Sequence, residues 1–297
     1  MLGHFLTIIW NIDPEIIKLG PFSIRYYSIL LALGFLLAYI VMCKTMKAEG
    51  FSQNLIDKFS IFAVLGTVIG LRLGHCFFYG PYFDTIDPIS GKVIEEGYLS
   101  HPLSILKVWE GGLASHGGAM GILLALFIYA KMYKQNYLRM LDKVVMVVPL
   151  VGAFVRVGNL MNSEIIGSPT DLPWGFVFTC RNHYNGMDYS DIPLHPSQLY
   201  EAIFYFIMFA SLYFVYKKFA LKWKGGTFLG LFLIILFGFR FLIEFIKLEQ
   251  SSFEKEMLLD MGQILSIPFV LLGVFLVVRQ FIGKKEKSNK LENSHLV

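Results

Sequence analysis

The chain has 297 residues, 55% of them hydrophobic and 16% charged, and a mean hydropathy of +0.58. Soluble domains are about 25% charged, so this chain has too little polar surface to cover itself in water, which excludes the soluble globular class. Its net charge of +4 is modest and gives no sign of a nucleic-acid partner.

In chain order, residues 1–14 carry no basic stretch ahead of their apolar residues and are not expected to form a cleaved signal peptide. Seven apolar runs follow, at about 22–42, 59–79, 113–133, 144–161, 199–216, 227–245 and 261–282. A helix needs roughly 20 apolar residues to cross a bilayer, so the expected fold is an all-α integral membrane protein of seven transmembrane helices. Pro149 and Pro268 fall inside spans, which membrane helices tolerate. Residues 1–282 read as one polytopic catalytic domain, and 283–297 as a cytoplasmic, lysine-rich tail expected to be disordered. Cys43, Cys76 and Cys180 show no metal-ligand spacing.

The loops sort by charge. Lys44, Lys47 and Lys58 follow the first span, Lys134, Arg139 and Lys143 the third, and Lys217, Lys218, Lys222 and Lys224 the fifth; Lys284, Lys285, Lys287 and Lys290 follow the seventh. Asp84, Asp87, Glu95 and Glu96 lie after the second span, and Glu254, Glu256 and Asp260 after the sixth. The positive-inside rule puts the basic loops in the cytoplasm, the longer acidic loops and the amino terminus on the periplasmic side, and the carboxyl terminus inside.

Charged groups inside a bilayer are costly and are functional candidates by default. Here they are Arg72 and His75 in the second span, His116 at the head of the third, Arg156 with Asn159 in the fourth, and Arg240 with Glu244 in the sixth. Counted from the nearest cytoplasmic lysine at about 1.5 Å per residue, Arg72, His116, Arg156 and Arg240 lie about 20–24 Å deep. In a hydrocarbon core of about 30 Å that is one level, past the midplane toward the outer face. It describes a polar cavity open to the outer leaflet. Arg72/His75, Arg156/Asn159 and Arg240/Glu244 each share a helix face. Arg240/Glu244 also reads as an intrahelical ion pair that eases insertion, and Arg72 as a group that snorkels to the interface.

Three polar segments flank this level. In Glu110-Gly111-Gly112-Leu113-Ala114-Ser115-His116-Gly117-Gly118 the glycines either let a substrate approach the backbone or pack helices closely through Gly117, Gly118 and Gly121. The fourth span ends in Arg156-Val157-Gly158-Asn159-Leu160-Met161-Asn162-Ser163-Glu164-Ile165-Ile166-Gly167, and His195-Pro196-Ser197-Gln198-Leu199-Tyr200-Glu201 leads into the fifth. Proline and serine before a helix are ordinary start signals.

The run from Arg156 to Gly167 resembles the signature of the prolipoprotein diacylglyceryl transferase family. Trp109 through Gly118, His195 through Glu201, and Met261-Gly262-Gln263-Ile264-Leu265-Ser266-Ile267-Pro268 match it in the same order, as do Arg25-Tyr26-Tyr27 and Phe239-Arg240 with Glu244. Val155 stands where the family usually has glycine, and Lys247-Leu248-Glu249-Gln250 where it tends to have Arg-x-Pro-Asp; residues 181–191 look lineage-specific. The resemblance implies a bacterial inner-membrane transferase that moves the diacylglyceryl group of phosphatidylglycerol to the lipobox cysteine of a preprolipoprotein. The products are a thioether and glycerol phosphate, and no cofactor is implied. It implies His116, Arg240 and Glu244 as catalytic residues, with Arg156, Asn159, Tyr27, Glu164, Gly167 and Arg72 holding the lipid. The chemistry agrees, because guanidinium groups suit a phosphate and a thiol must be deprotonated to attack.

A transporter would also carry charge at mid-membrane, but it would commonly show repeats and matched broken helices, and the sequence has neither. An intramembrane protease would need G-x-S-x-G or paired intramembrane aspartates, whereas Asp142 lies near the inner boundary. The charge pattern predicts that a reporter active only in the cytoplasm gives signal when fused after Val297 and none within residues 95–100. The reverse pattern would invert the topology.

Overall fold

The computed structural model describes residues 7–19, 22–87, 92–107, 114–179, 183–184, 187–189, 191–248 and 259–294. The chain divides into two compact units, Met1–Thr45 with Asp142–Val297, and Met46–Leu141. Among the described residues, seven helices are long and apolar enough to cross a membrane. Trp109 to Gly112, Cys180, Glu254 and Glu256 lie outside the described residues.

The first unit opens with strands β1 (Ile8–Trp10), β2 (Glu15–Leu19) and β3 (Phe22–Arg25), then helix α1 (Tyr26–Ala48), whose last residues belong to the second unit. The first span was expected from residue 22. Instead Phe22–Arg25 pairs antiparallel with β2, Lys18 opposite Ser23, because backbone groups outside the membrane can be satisfied by a neighbouring strand. Helix α4 (Tyr137–Met161) likewise starts seven residues before the expected 144. Its added turns bury Asp142 and Lys143, which find partners. Asp142 accepts the backbone N–H groups of Gly226 and Leu229 at 2.7 and 2.8 Å, and Lys143 donates to the Tyr216 hydroxyl at 3.1 Å. Asp142 thus caps α6 (Thr227–Ile243), where a negative charge is favoured by the exposed N–H groups.

Between α4 and α5 (Ser197–Phe219) lies a small apolar core of Leu160, Ile166, Phe176, Phe178 and Leu194. Trp10 packs on it and donates its indole N–H to the Leu160 carbonyl at 3.0 Å. The pairing of β1 with β6 (Phe176–Phe178) is parallel and ties the amino-terminal strand to this core. Short strands β7 (His183–Tyr184) and β8 (Met187–Asp188) pair beyond it. Helix α7 (Met261–Ser294) packs on α6 where Gly230 faces Gly273: a Cβ on Gly230 would lie 2.8 Å from the Gly273 carbonyl oxygen. The apolar part of α7 ends at Ile282, and the helix runs on to Ser294 through residues that the sequence reading expects to be disordered. Extending an existing helix avoids the cost of nucleation.

The second unit pairs α2 (Gln53–Phe78) with α3 (Ser115–Met132) and carries the hairpin of β4 (Thr85–Ile86) and β5 (Val93–Glu95) and a 3-10 turn, Pro102–Leu106. Gly66, Gly70 and Gly74 recur every four residues on α2 and face Gly117, Gly121 and Ala125 of α3. Lipid gives helices no hydrophobic reason to associate, so contact area between close backbones does the work. A Cβ on Gly74 would stand 2.6 Å from the Gly117 Cα, so only glycine fits. Of the two uses read for the glycines near His116, Gly117 and Gly121 serve helix packing. We expect Gly70→Val to lower the thermal unfolding midpoint in detergent, an overpacking cost of about 1–3 kcal/mol or more. Gly238→Ala on α6, where a Cβ meets nothing within 4 Å, should lower it not at all. Equal midpoints for the two variants would rule out close packing as the reason for these glycines.

Candidate active site

The turn after α4 is the structural origin of the site. Ser163 and Ile165 adopt left-handed backbone conformations, with φ of 52° and 59°. For a β-branched residue this is a strained state costing about 1–3 kcal/mol. The start of α5 offsets it. Fully buried Ser197 donates to the Ile165 carbonyl at 2.7 Å and Gln198 to the Glu164 carbonyl at 2.6 Å. The two polar segments seen in the sequence, residues 156–167 and 195–201, therefore form one unit, and residues 246–248 join it. Gly167 donates its N–H to the His195 carbonyl, Ser168 to that of Ile246, and Leu248 to that of Ile166. Gly167 is buried between them: a Cβ there would stand 2.5 Å from the His195 Cβ and 2.8 Å from the Ile246 carbonyl oxygen. Glycine at this position is a packing requirement of the turn. His195 itself sits with Nδ1 3.3 Å from the Tyr200 hydroxyl, and burial holds its imidazole below the ordinary pKa.

Above this turn lies a chain of charges, buried at Glu201 and Lys247 and half-buried at Arg156 and Glu244. Arg156 Nε on α4 is 3.2 Å from Glu201 Oε2 on α5, and Lys247 Nζ donates to Glu201 Oε1 at 3.0 Å. Lys247 also lies 3.8 Å from Glu244 Oε2. The side chains of Glu201 and Lys247 are 1% and 3% exposed, so water screens neither. Burial pushes the Lys247 ammonium down in pKa, Glu201 pulls it up, and Arg156 adds to the lowering. Tyr205 lies within the electrostatic reach of both Arg156 and Arg240. Asn159 makes a long 3.5 Å contact to Glu164 Oε2, and Tyr27 packs on Gly158 within the field of Glu164 and Arg156.

The expected pairing of Arg240 with Glu244 is replaced. Helix α6 ends at Ile243, and Glu244–Ile246 form a 3-10 turn. In that geometry residues i and i+3 eclipse, which brings Lys247 to Glu244. The Glu244 carboxylate lies against the backbone of Gly262, where a Cβ would be 2.8 Å from it, at the amino end of α7. No ion pair joins Arg240 to Glu244 among the described residues.

Among the described residues, every buried side-chain polar atom without a hydrogen-bond partner belongs to this region: Asn159 Oδ1, Asn162 Oδ1, Ser163 Oγ, Gln198 Oε1, Glu201 Oε2 and Glu244 Oε2. Native interiors pair nearly all such atoms, and five of these six are acceptor-only oxygens, all but Ser163 Oγ. Glu201 Oε2 faces Arg156 as an ion pair outside hydrogen-bond geometry.

The remaining candidates, Arg72 and His116, belong to the second unit. Arg72 is buried, donating to the carbonyls of Ile105 at 2.9 Å and Ser104 at 2.6 Å, with its guanidinium 5.3 Å from the Tyr98 ring centre. These contacts anchor the loop before α3. His116 stands exposed in the first turn of α3. Sequence reasoning gave no role to Glu201, Lys247 or Tyr205. Glu201 falls inside the fifth predicted span, but it closes a segment that reads as an ordinary helix start. Its charge within an apolar run was the available signal.

Seven apolar helices among the described residues and this network of paired charges fit an integral membrane protein with a polar, charged cluster on its helices. The family profile described as "Prolipoprotein diacylglyceryl transferase" matches residues 14–279. The chain is 41% identical over 282 residues to the phosphatidylglycerol–prolipoprotein diacylglyceryl transferase of Tolumonas auensis, covering 95% of this chain and 99% of that protein. It is 40% identical to the protein of the same name from Bacteroides fragilis, over 96% and 99% of the two chains, and 41% identical to that of Chloroherpeton thalassium, over 91% and 93%. The chain belongs to the prolipoprotein diacylglyceryl transferase family.

Proposed function

We infer that this protein transfers the diacylglyceryl group of phosphatidylglycerol to the lipobox cysteine thiol of a preprolipoprotein, in the bacterial inner membrane. The new bond joins the cysteine sulfur to the glyceryl carbon. The bond from that carbon to the phosphate oxygen breaks, and glycerol phosphate leaves with the electron pair. The observation that carries the reading, beside family membership, is the half-buried Arg156 among unmatched polar atoms. A donor lipid brings one phosphate charge and a hydroxylated headgroup, and both match that surface.

In this reading Arg156 holds the donor phosphate, helped by Asn159 and by the hydroxyl of Tyr27. Glu164 orients Asn159 and meets the glycerol hydroxyls. Arg240 stabilises charge on the departing phosphate oxygen, and Glu244 is fixed at the amino end of α7. Gly167 shapes the turn, and Arg72 holds its loop. The amino terminus lies outside and the carboxyl terminus inside, so exported substrates meet the outer half of the membrane.

Arg156→Lys keeps a charge but loses the planar fork. We expect diacylglyceryl transfer to a lipobox peptide, followed by thin-layer chromatography with labelled phosphatidylglycerol, to fall strongly in folded protein. Wild-type turnover in a well-folded Arg156→Ala variant would refute the assignment. His116 is assigned as the base that takes the thiol proton, since an imidazole nitrogen can accept one. The His116→Gln variant should be nearly inactive at pH 7 and partly recover by pH 9, as a free thiol of pKa about 8.5 ionises on its own. A loss of the same size at both pH values would leave His116 a positioning role only.

A further inference from the structure

We propose that Lys247 is a positioning residue for the phosphate site, acting on Arg156 through the carboxylate that the two cations share. The inference rests on Arg156 being the donor's phosphate ligand. Glu201 turns one oxygen to each cation, Oε1 to Lys247 at 3.0 Å and Oε2 to Arg156 at 3.2 Å. With a single cationic partner, a buried carboxylate cancels that partner's charge. With two, that carboxylate cancels neither cation fully, and at this depth water screens the remaining field only weakly. Lys247 thus leaves Arg156 able to attract a phosphate while Glu201 still holds its Nε.

The other side of Lys247 is also defined. Glu244 lies 3.8 Å from it, with its carboxylate against Gly262 at the start of α7. The positive end of that helix favours the Glu244 anion, so Glu244 draws only part of its compensation from Lys247. The shorter contact, to Glu201, is the stronger one. A lysine suits this place as a compact point charge between two carboxylates. Its burial keeps it off the surface, so it works by fixing a neighbour's charge and direction.

The experiment measures binding of a short-chain phosphatidylglycerol to full-length protein in detergent, alongside transfer kinetics and thermal unfolding. Lys247→Gln removes the charge and keeps a hydrogen-bond donor toward Glu201; Lys247→Met removes both. We expect each to weaken donor binding about tenfold, visible as a raised KM with kcat at saturating donor changed far less. Lys247→Arg should restore most of the affinity. In an Arg156→Lys background the effect of Lys247→Gln should shrink to under about twofold, since coupled residues are not additive. Unchanged donor affinity in folded Lys247→Gln protein, even with a lowered unfolding midpoint, would overturn the proposal and leave Lys247 a structural ion. An undiminished effect in the Arg156→Lys background would overturn it too, because Lys247 would then act by another route. Wild-type donor affinity in Arg156→Lys itself would refute the phosphate assignment instead, and this inference with it.

Discussion

A carboxylate withheld from water must be matched by positive charge, and Glu201 meets that condition with two cations from different elements. Most of the site's arrangement depends on this. Glu201 stands on α5, Arg156 on α4, and Lys247 just past the 3-10 turn that ends α6. Removing one partner of such a buried pair typically costs about 3–5 kcal/mol, so the network constrains how the three elements meet. It also explains the strained turn at Ser163 and Ile165. That turn is held by Ser197 and Gln198 on the same end of α5 that carries Glu201.

The second unit meets the same bilayer constraint by other means. Its helices associate through glycines that let backbones touch, and its buried arginine is satisfied by loop carbonyls and an aromatic face. Arg72 and Arg156 are both arginines inside spans, yet they have different partners. Arg72 donates to the backbone carbonyls of Ser104 and Ile105. Arg156 has an anion shared with a second cation. Among the described residues, the unmatched polar atoms gather around the latter arrangement.

Transfer to a thiol asks the protein for two things: to hold a phosphodiester firmly enough that its glyceryl carbon is open to attack, and to favour the charge that leaves. A planar guanidinium fixed at one nitrogen by a carboxylate suits the first, because its direction is set before the lipid arrives. Cationic surroundings suit the second. Neither needs a redox centre, and in the proposed reading the residues gathered around Arg156 supply binding and electrostatics.

Much of this was legible in the sequence. Seven spans follow from apolar runs, because a bilayer demands length and hydrophobicity from each helix separately, and each can be read alone. Arg156, Asn159, Arg240 and Glu244 stood out because charge inside an apolar run is costly wherever it folds. The family could be read from the order of its motifs. What tertiary structure decided was partnership. Glu244 turned from Arg240 to Lys247 because α6 tightens into a 3-10 turn, and one changed helical period moves a side chain to another face. Asp142 and Lys143 moved from loop to helix because neighbours on α5 and α6 satisfy them. The glycines of α2 and α3 gained their meaning only when the two helices were seen touching. Glu201 became central only when α4, α5 and the end of α6 came together. Each of these depends on contacts between residues far apart in the chain, and periodicity and hydropathy, which are properties of single segments, carry no record of them.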